Sequence, residues 1–206
     1  MILLGLTGGI GSGKTVVSSM LAERGAIIID ADAVVRELQG PGQPLLKELA
    51  DAFGESIIAG DGTLDRGALA NIAFNDKDAL ARLNKIVHPA VGKEMDRRLD
   101  EQRSTNNVVV LDIPLLAENP RKGLCGVIVV DVPVETAVLR LVEFRNMDEA
   151  DARARIANQA SREKRLAIAD VVVENSGTLH DLAHRVDEVW AWAQTLPPAA
   201  DDAGGR

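Results

Sequence analysis

The sequence predicts an α/β protein built on a five-stranded parallel sheet. Three observations predict it. Five short runs of aliphatic residues recur along the chain, segments of helical periodicity lie between them, and a glycine-rich loop joins the first run to the first helix. The runs are continuously apolar rather than alternating, which suits strands buried on both faces. A helix between successive strands demands a parallel crossover.

The elements follow in chain order. Residues 2–7 form the first run, with the glycines directly behind it. Over residues 14–24, Val16 and Met20, then Val17 and Leu21, stand four apart, and Gly25 supplies a stop. The second run is AIIID at 26–30, the third VVVLD at 108–112, the fourth VIVVD at 127–131 and the fifth ADVVVE at 169–174. Two stretches interrupt the alternation. Residues 40–105 hold several helical patterns and no convincing strand, and open with the breaker GPGQP. Residues 139–165 carry more basic than acidic side chains in a chain of net charge −8. The expected organisation is one domain over 1–196. Its core comprises 1–34, 106–138 and 166–196, interrupted by a helical insertion at 35–105 and a second segment at 139–165. The tail 197–206, PPAADDAGGR, reads as disordered.

Composition excludes several functions. With 206 residues, 46% hydrophobic and 26% charged, the chain fits one globular domain. Its acidic balance argues against a nucleic-acid coat or a polybasic membrane binder. There is no Tyr, and three Phe with two Trp make a base-stacking platform improbable. One cysteine, Cys125, precludes an intrachain disulfide and fits a reducing compartment. No apolar run approaches the ~20 residues of a membrane span, and the N-terminus lacks a basic leader region. A soluble cytoplasmic protein is expected, a monomer or weak homo-oligomer with neither nucleic acid nor membrane as partner.

Gly8-Gly9-Ile10-Gly11-Ser12-Gly13-Lys14-Thr15 satisfies G-x-x-x-x-G-K-[ST] between a strand and a helix. A loop that wraps a phosphate must turn its backbone N–H groups inward, and side chains at Gly8, Gly11 or Gly13 would obstruct it. The helix N-terminus, reaching Val16, adds partial positive charge. Lys14 can reach the β- and γ-phosphates, and Thr15 can ligate Mg²⁺. The dinucleotide fingerprint fails, because it would need glycine where Lys14 stands.

Three runs end in aspartate: Asp30, Asp112 and Asp131. The C-terminal strand ends of an open parallel sheet form its ligand crevice. Asp112 reads either as a metal-binding acid or as a strand-end turn former. Asp32 reads either as the carboxylate that accepts a proton from an attacking hydroxyl or as the cap of the helix that follows.

These residues resemble the bacterial dephospho-coenzyme A kinases. The likeness rests on LTGGIGSGKT at 6–15, IIDADAVVR at 28–36, GTLDRGALANIAF at 62–74 and VHP at 87–89. It continues through DIPLLAEN at 112–119, ARIANQASREKRLAIAD at 154–170 and ENSG at 174–177. The resemblance implies ATP-dependent phosphorylation of the ribose 3′-hydroxyl of dephospho-CoA. It also implies a P-loop nucleoside-triphosphate-hydrolase-like three-layer fold, an acceptor-binding helical insertion and a lid over 139–165. By position it makes Asp32 the base, and assigns His88, Pro89, Pro114, Leu115 and Leu116 to the acceptor. His88 before Pro89 also reads as a helix-end residue, and Leu116 as core packing. Arg140, Arg145, Arg155, Arg162 and Arg165 are lid candidates for phosphate charge. Arg140, taken as the end of its helix, ranks first. Gln159 lies in the lid motif and Asn175 where the adenine is expected. Asp151 with Arg155, and Glu149 with Arg153, are spaced for surface salt bridges.

The chain departs from many relatives at Glu143-Phe144-Arg145-Asn146, at Ala117, and at Val91 and Gly92 before Lys93. A kinase for a nucleoside or other small hydroxyl substrate shares the same core. A guanine-nucleotide switch would carry N-K-x-D; Asn84-Lys85-Ile86-Val87 lacks the Asp.

Overall fold

In the computed structural model, which describes residues 1–200, five strands form one parallel sheet. They are β1 (Ile2–Gly8), β2 (Ile27–Asp30), β3 (Val108–Asp112), β4 (Gly126–Asp131) and β5 (Val171–Glu174), in the order β2-β3-β1-β4-β5. β1 is central, pairing in parallel with β3 (Leu6 beside Asp112) and with β4 (Gly8 beside Val130). The fifth strand starts later than its apolar run, because Asp170 is used otherwise. Its N–H donates to Val127 O at 3.0 Å and its carboxylate accepts the Val127 N–H at 2.8 Å, locking β5 to β4.

The chain divides into two compact units. One joins Met1–Ile29 to the chain from Glu101 onward; the other is Asp30–Asp100. In the sheet unit, α1 (Lys14–Glu23) and α9 (Leu179–Ala193) share a core with one face of the strands. Val17, Leu21, Leu182, Val186 and Val189 meet Leu4, Leu6, Val110, Ile128 and Val130 there. Trp190 and Trp192, both on α9, pack against this cluster. Leu3, Val109, Leu111 and Val129, of opposite parity, are equally buried, so both sheet faces are covered. Truncating any of these leucines to alanine costs about 2–5 kcal/mol.

The same unit carries α6 (Val134–Arg145), α7 (Glu149–Ala157) and α8 (Arg162–Leu166). Arg140 therefore lies inside α6 and not at its end. The helix continues until Asn146 turns left-handed (φ 49°), where its N–H closes on Leu141 O. Residues 197–200 have no regular structure, and Ala199 N–H donates to Met1 O at 3.0 Å. The rest of the expected tail, 201–206, lies outside the described residues.

The second unit is helical: α2 (Ala31–Leu38), α3 (Pro44–Phe53), a 3-10 turn (Glu55–Ile57), α4 (Arg66–Phe74) and α5 (Lys77–Asp100). Its core gathers Leu45, Leu46, Leu49, Ile57, Leu64 and Leu69. One isolated antiparallel bridge, Ile58 with Leu64, is its only strand-like pairing among the described residues. α5 continues through Pro89. The helix end expected at His88-Pro89 does not occur: flanking turns hold the helix although proline removes one N–H donor.

Candidate functional site: a glycine loop at the sheet edge

β1 delivers the loop at residues 8–15 to the C-terminal edge of the sheet. The structure explains four of its glycines individually. A Cβ on Gly8 would stand 2.6 Å from Ser12 Oγ, one on Gly9 2.8 Å from Arg165 Nη2, and one on Gly11 2.8 Å from Ala137 O. On Gly13 it would collide with the Asn175 amide. Gly11 and Gly13 also have φ of 79° and 87°, a region closed to most side chains. Ser12 N–H closes the turn on Gly9 O at 3.0 Å.

The helix that follows is left open at its N-terminus. No side chain caps α1, and its first turn holds no acid. By contrast Asp30, Asp65, Asp148, Ser161 and Thr178 cap α2, α4, α7, α8 and α9. An uncapped helix N-terminus presents N–H donors and partial positive charge to an anion. Ser12 Oγ is buried with no hydrogen-bond partner among the described residues. The cradle, the open helix end and the orphaned hydroxyl fit a polyphosphate.

Charged groups are arranged around this loop in pairs. The Lys14 ammonium engages Asp112 Oδ1. Asp112 ends β3 and is only 2% exposed, so Lys14 keeps a buried carboxylate compensated. Thr15 is exposed on the first turn of α1. Asn175, just past β5, is buried. Its Nδ2 donates to Ser12 O at 2.8 Å, its N–H to Asp131 O at 2.9 Å, and its carbonyl accepts Arg140 Nη2 at 2.7 Å. Asn175 and Arg140 thus brace the glycine loop from outside.

The segment from α7 to α8 reaches the same loop. Gln159 Oε1 accepts the Ile10 N–H at 2.8 Å. Arg165 is buried against Gly9 and donates to Ala160 O. Arg162 holds Asp131 through Nε, 3.0 Å from both carboxylate oxygens, and through Nη2 at 2.6 Å. This bond raises the Arg162 pKa. Asp131 is 5% exposed, so drawing Arg162 away would strand a buried charge. Arg153 joins Glu149 at 2.9 Å, as its spacing predicts, and also Glu135 at 2.8 Å; the Arg153 hydrogen bond holds the Glu135 carboxyl below its usual range. Asp151 and Arg155 form no pair. Arg145 and Arg155 are exposed and without a partner among the described residues.

In the helical unit, the helix-capping role that Asp32 could have taken belongs to Asp30. Asp30 Oδ1 accepts the N–H groups of Asp32 at 2.8 Å and Ala33 at 3.0 Å. The Asp32 carboxylate has no partner among the described residues. His88 and Pro89 are exposed midway along α5. In the sheet unit, Pro114 O accepts the Thr7 hydroxyl at 3.0 Å. Leu115 is exposed and Leu116 is buried. A Cβ on Gly5 would come within 2.7 Å of Leu116, which accounts for that glycine.

Sequence reasoning missed the Arg162–Asp131 pair and the use of Glu118 Oε1, which accepts the Ala160 N–H at 2.7 Å. The partners are 31 and 42 residues apart, and no local periodicity connects them. No group of three or more His, Cys, Asp or Glu suited to a metal exists among the described residues. No helix among them is long and apolar enough to cross a membrane.

A parallel sheet that ends in this loop, with an uncapped helix behind it, defines a P-loop nucleotide-binding protein. The model of the CoaE, dephospho-CoA kinase, family matches residues 2–181. The chain belongs to the dephospho-CoA kinase family and is a kinase. A dephospho-CoA kinase of Streptomyces avermitilis is 52% identical over 192 residues, 93% of this chain and 93% of that one. The crystal structure of TT1252 from Thermus thermophilus superposes with a TM-score of 0.79 at 33% identity, covering 93% and 97% of the two chains. A dephospho-CoA kinase from Campylobacter jejuni shares the fold, with a TM-score of 0.67 at 22% identity over 93% and 96%.

Proposed function

We propose that the protein transfers the γ-phosphoryl group of ATP to the ribose 3′-hydroxyl of dephospho-CoA, giving CoA and ADP, the last step of coenzyme A synthesis. One observation carries this reading: the 52% identity with a dephospho-CoA kinase extends over nearly the whole length of both chains. The reaction takes place in the cytoplasm.

The roles follow from chemistry. Amides of residues 8–16 cradle the triphosphate, and Lys14 turns from Asp112 toward its outer phosphates. A Mg²⁺ ion, when bound, neutralises phosphate charge; Thr15 Oγ1 and Asp112 are the residues that would hold it. So few protein ligands suit Mg²⁺, which keeps water and phosphate oxygens. Asp32, whose carboxylate is committed to no other group, engages the 3′-hydroxyl and takes its proton. Arg140 and Asn175 lie against the loop where the nucleoside end of ATP would rest. His88 and Pro89 in the helical unit, and Pro114 with Leu115 past β3, contact the acceptor. Leu116 supports them from the core. The lid, residues 139–165, supplies Gln159 at the loop and Arg155 as an unpaired cation for transition-state charge. Water exclusion by the lid suppresses hydrolysis of ATP.

The test is ADP release with ATP and Mg²⁺, in the presence and absence of dephospho-CoA, with product mass. Acceptor-dependent ADP and a gain of one phosphate are expected. Equal ADP release without acceptor, or faster phosphorylation of a free nucleoside, overturns the reading.

A further inference from the structure

Glu118 is exposed on the turn after β3. The turn itself is firmly held. Ile113 N–H donates to Leu6 O at 3.0 Å, Asn119 N–H donates to Leu115 O at 2.9 Å, and Leu116 is buried against Gly5. A side chain on such a turn is a fixed post. Its Oε1 accepts the Ala160 N–H at 2.7 Å. Ala160 lies between α7 and α8, and its own carbonyl accepts Arg165, whose guanidinium lies against Gly9. The preceding residue, Gln159, takes the Ile10 N–H of the glycine loop at 2.8 Å. Adjacent residues of one short connection therefore bond to two different parts of the site.

We infer that Glu118 is a positioning residue for phosphoryl transfer. It acts through Ala160 and Gln159 to fix the glycine loop at Ile10, and so ties the loop to the turn that carries Pro114 and Leu115. The inference rests on the proposed reaction for its kinetic consequence. Carboxylate-to-amide hydrogen bonds are among the stronger ones, and they are directional. Without this bond the 159–160 connection keeps the Arg165 contact at Ala160 O but loses its anchor at the Ala160 N–H, and the aim of Gln159 loosens. A displacement of about 1 Å at a reacting site, caused from a distance, lowers rate by up to ~10²-fold.

The experiment compares Glu118→Ala, Glu118→Gln, Gln159→Ala and the double alanine variant. Glu118→Ala is expected to lower kcat about tenfold, with KM for dephospho-CoA and Tm close to wild type. Glu118→Gln keeps an acceptor oxygen and recovers most of the rate. Gln159→Ala reproduces the loss, and the double variant is no worse than the worse single one, as residues in one relay are not additive. Hydrogen–deuterium exchange gives a second readout without turnover. The Ile10 amide is expected to be protected in wild type and Glu118→Gln, and to exchange faster in Glu118→Ala and Gln159→Ala. Unchanged exchange at Ile10 in Glu118→Ala, or multiplicative losses in the double variant, overturns the relay. If wild type does not phosphorylate dephospho-CoA, the proposed reaction fails while the exchange result still decides the relay.

Discussion

The two units handle charge in opposite ways. In the sheet unit, two carboxylates at strand ends are buried and each is held by a cation: Asp112 by Lys14, Asp131 by Arg162. In the helical unit, the ion pairs of Arg98 and Lys47 lie at or near the surface. Arg98 bridges Glu37 of α2 and Glu94 of α5, and Lys47 meets Asp51 along α3. The carboxylate proposed as the base, Asp32, is left unpaired there. A buried carboxylate needs its cation and is committed to it. An unpaired one at a helix start is available to a substrate proton, provided a neighbour does the capping, as Asp30 does. Structural and chemical duties are thus separated by two residues in one unit and merged within single pairs in the other.

The sharpest way to break that contrast is to exchange the two aspartates of the DAD triplet. Asp32→Asn is expected to lower turnover by about 10²–10⁴-fold, the range of a lost general base, with Tm unchanged. Asp30→Ala is expected to cost about 1 kcal/mol of stability, an N-cap value, measured by urea titration, and to leave some turnover. Equal kinetic losses in the two variants would mean that the duties are not separated. Next in size, Lys14→Ala should reduce turnover by about 10²–10³-fold, as for one lost transition-state donor. It should also lower Tm, because the buried Asp112 loses the Lys14 cation; an unaltered Tm would show that Asp112 does not need that cation.

Smaller effects separate the arginines of the proposed lid. Arg162→Ala is expected to lower Tm measurably, whereas Arg155→Ala leaves Tm unchanged and lowers kcat; differential scanning and steady-state kinetics give both numbers. The smallest effect is a pH dependence in the helical unit. Hydrogen bonds from Arg97, then from Arg98, hold the Glu94 carboxyl down at about 2. A group depressed in the folded state stabilises it above its unfolded pKa of about 4.3. That contribution disappears as pH falls toward about 2. The Tm gap between wild type and Glu94→Gln, followed by circular dichroism, should be constant above about pH 5 and narrow below it.

The legible parts of the fold were those coded over short distances. The loop spacing at 8–15, the five apolar runs and the strandless interruption all appear in the structure, since each depends on neighbours within a few residues. Two readings failed and one was incomplete. α6 continues past Arg140 because its stop is a left-handed Asn146, a role only occasionally taken by a residue other than glycine. α5 crosses Pro89 because packing overrides one lost hydrogen bond. Asp30 does end β2 as read, and it also caps α2, because strand and helix abut without a loop. The bracing of the loop by Asn175 and the Glu118 contact join residues 163 and 42 positions apart, beyond any local pattern.

The placement of the indoles has a practical optical consequence. Both tryptophans lie on α9, against the sheet core, and the chain has no tyrosine. Intrinsic tryptophan emission therefore arises wholly in one unit. The helical unit, with neither tryptophan nor tyrosine, is dark in tryptophan emission. An unfolding curve followed by emission therefore reports the sheet alone. Ellipticity reports the helices of both units, so a midpoint that differs from the emission midpoint reveals separate unfolding, and a tryptophan placed at Phe53 would light up the helical unit.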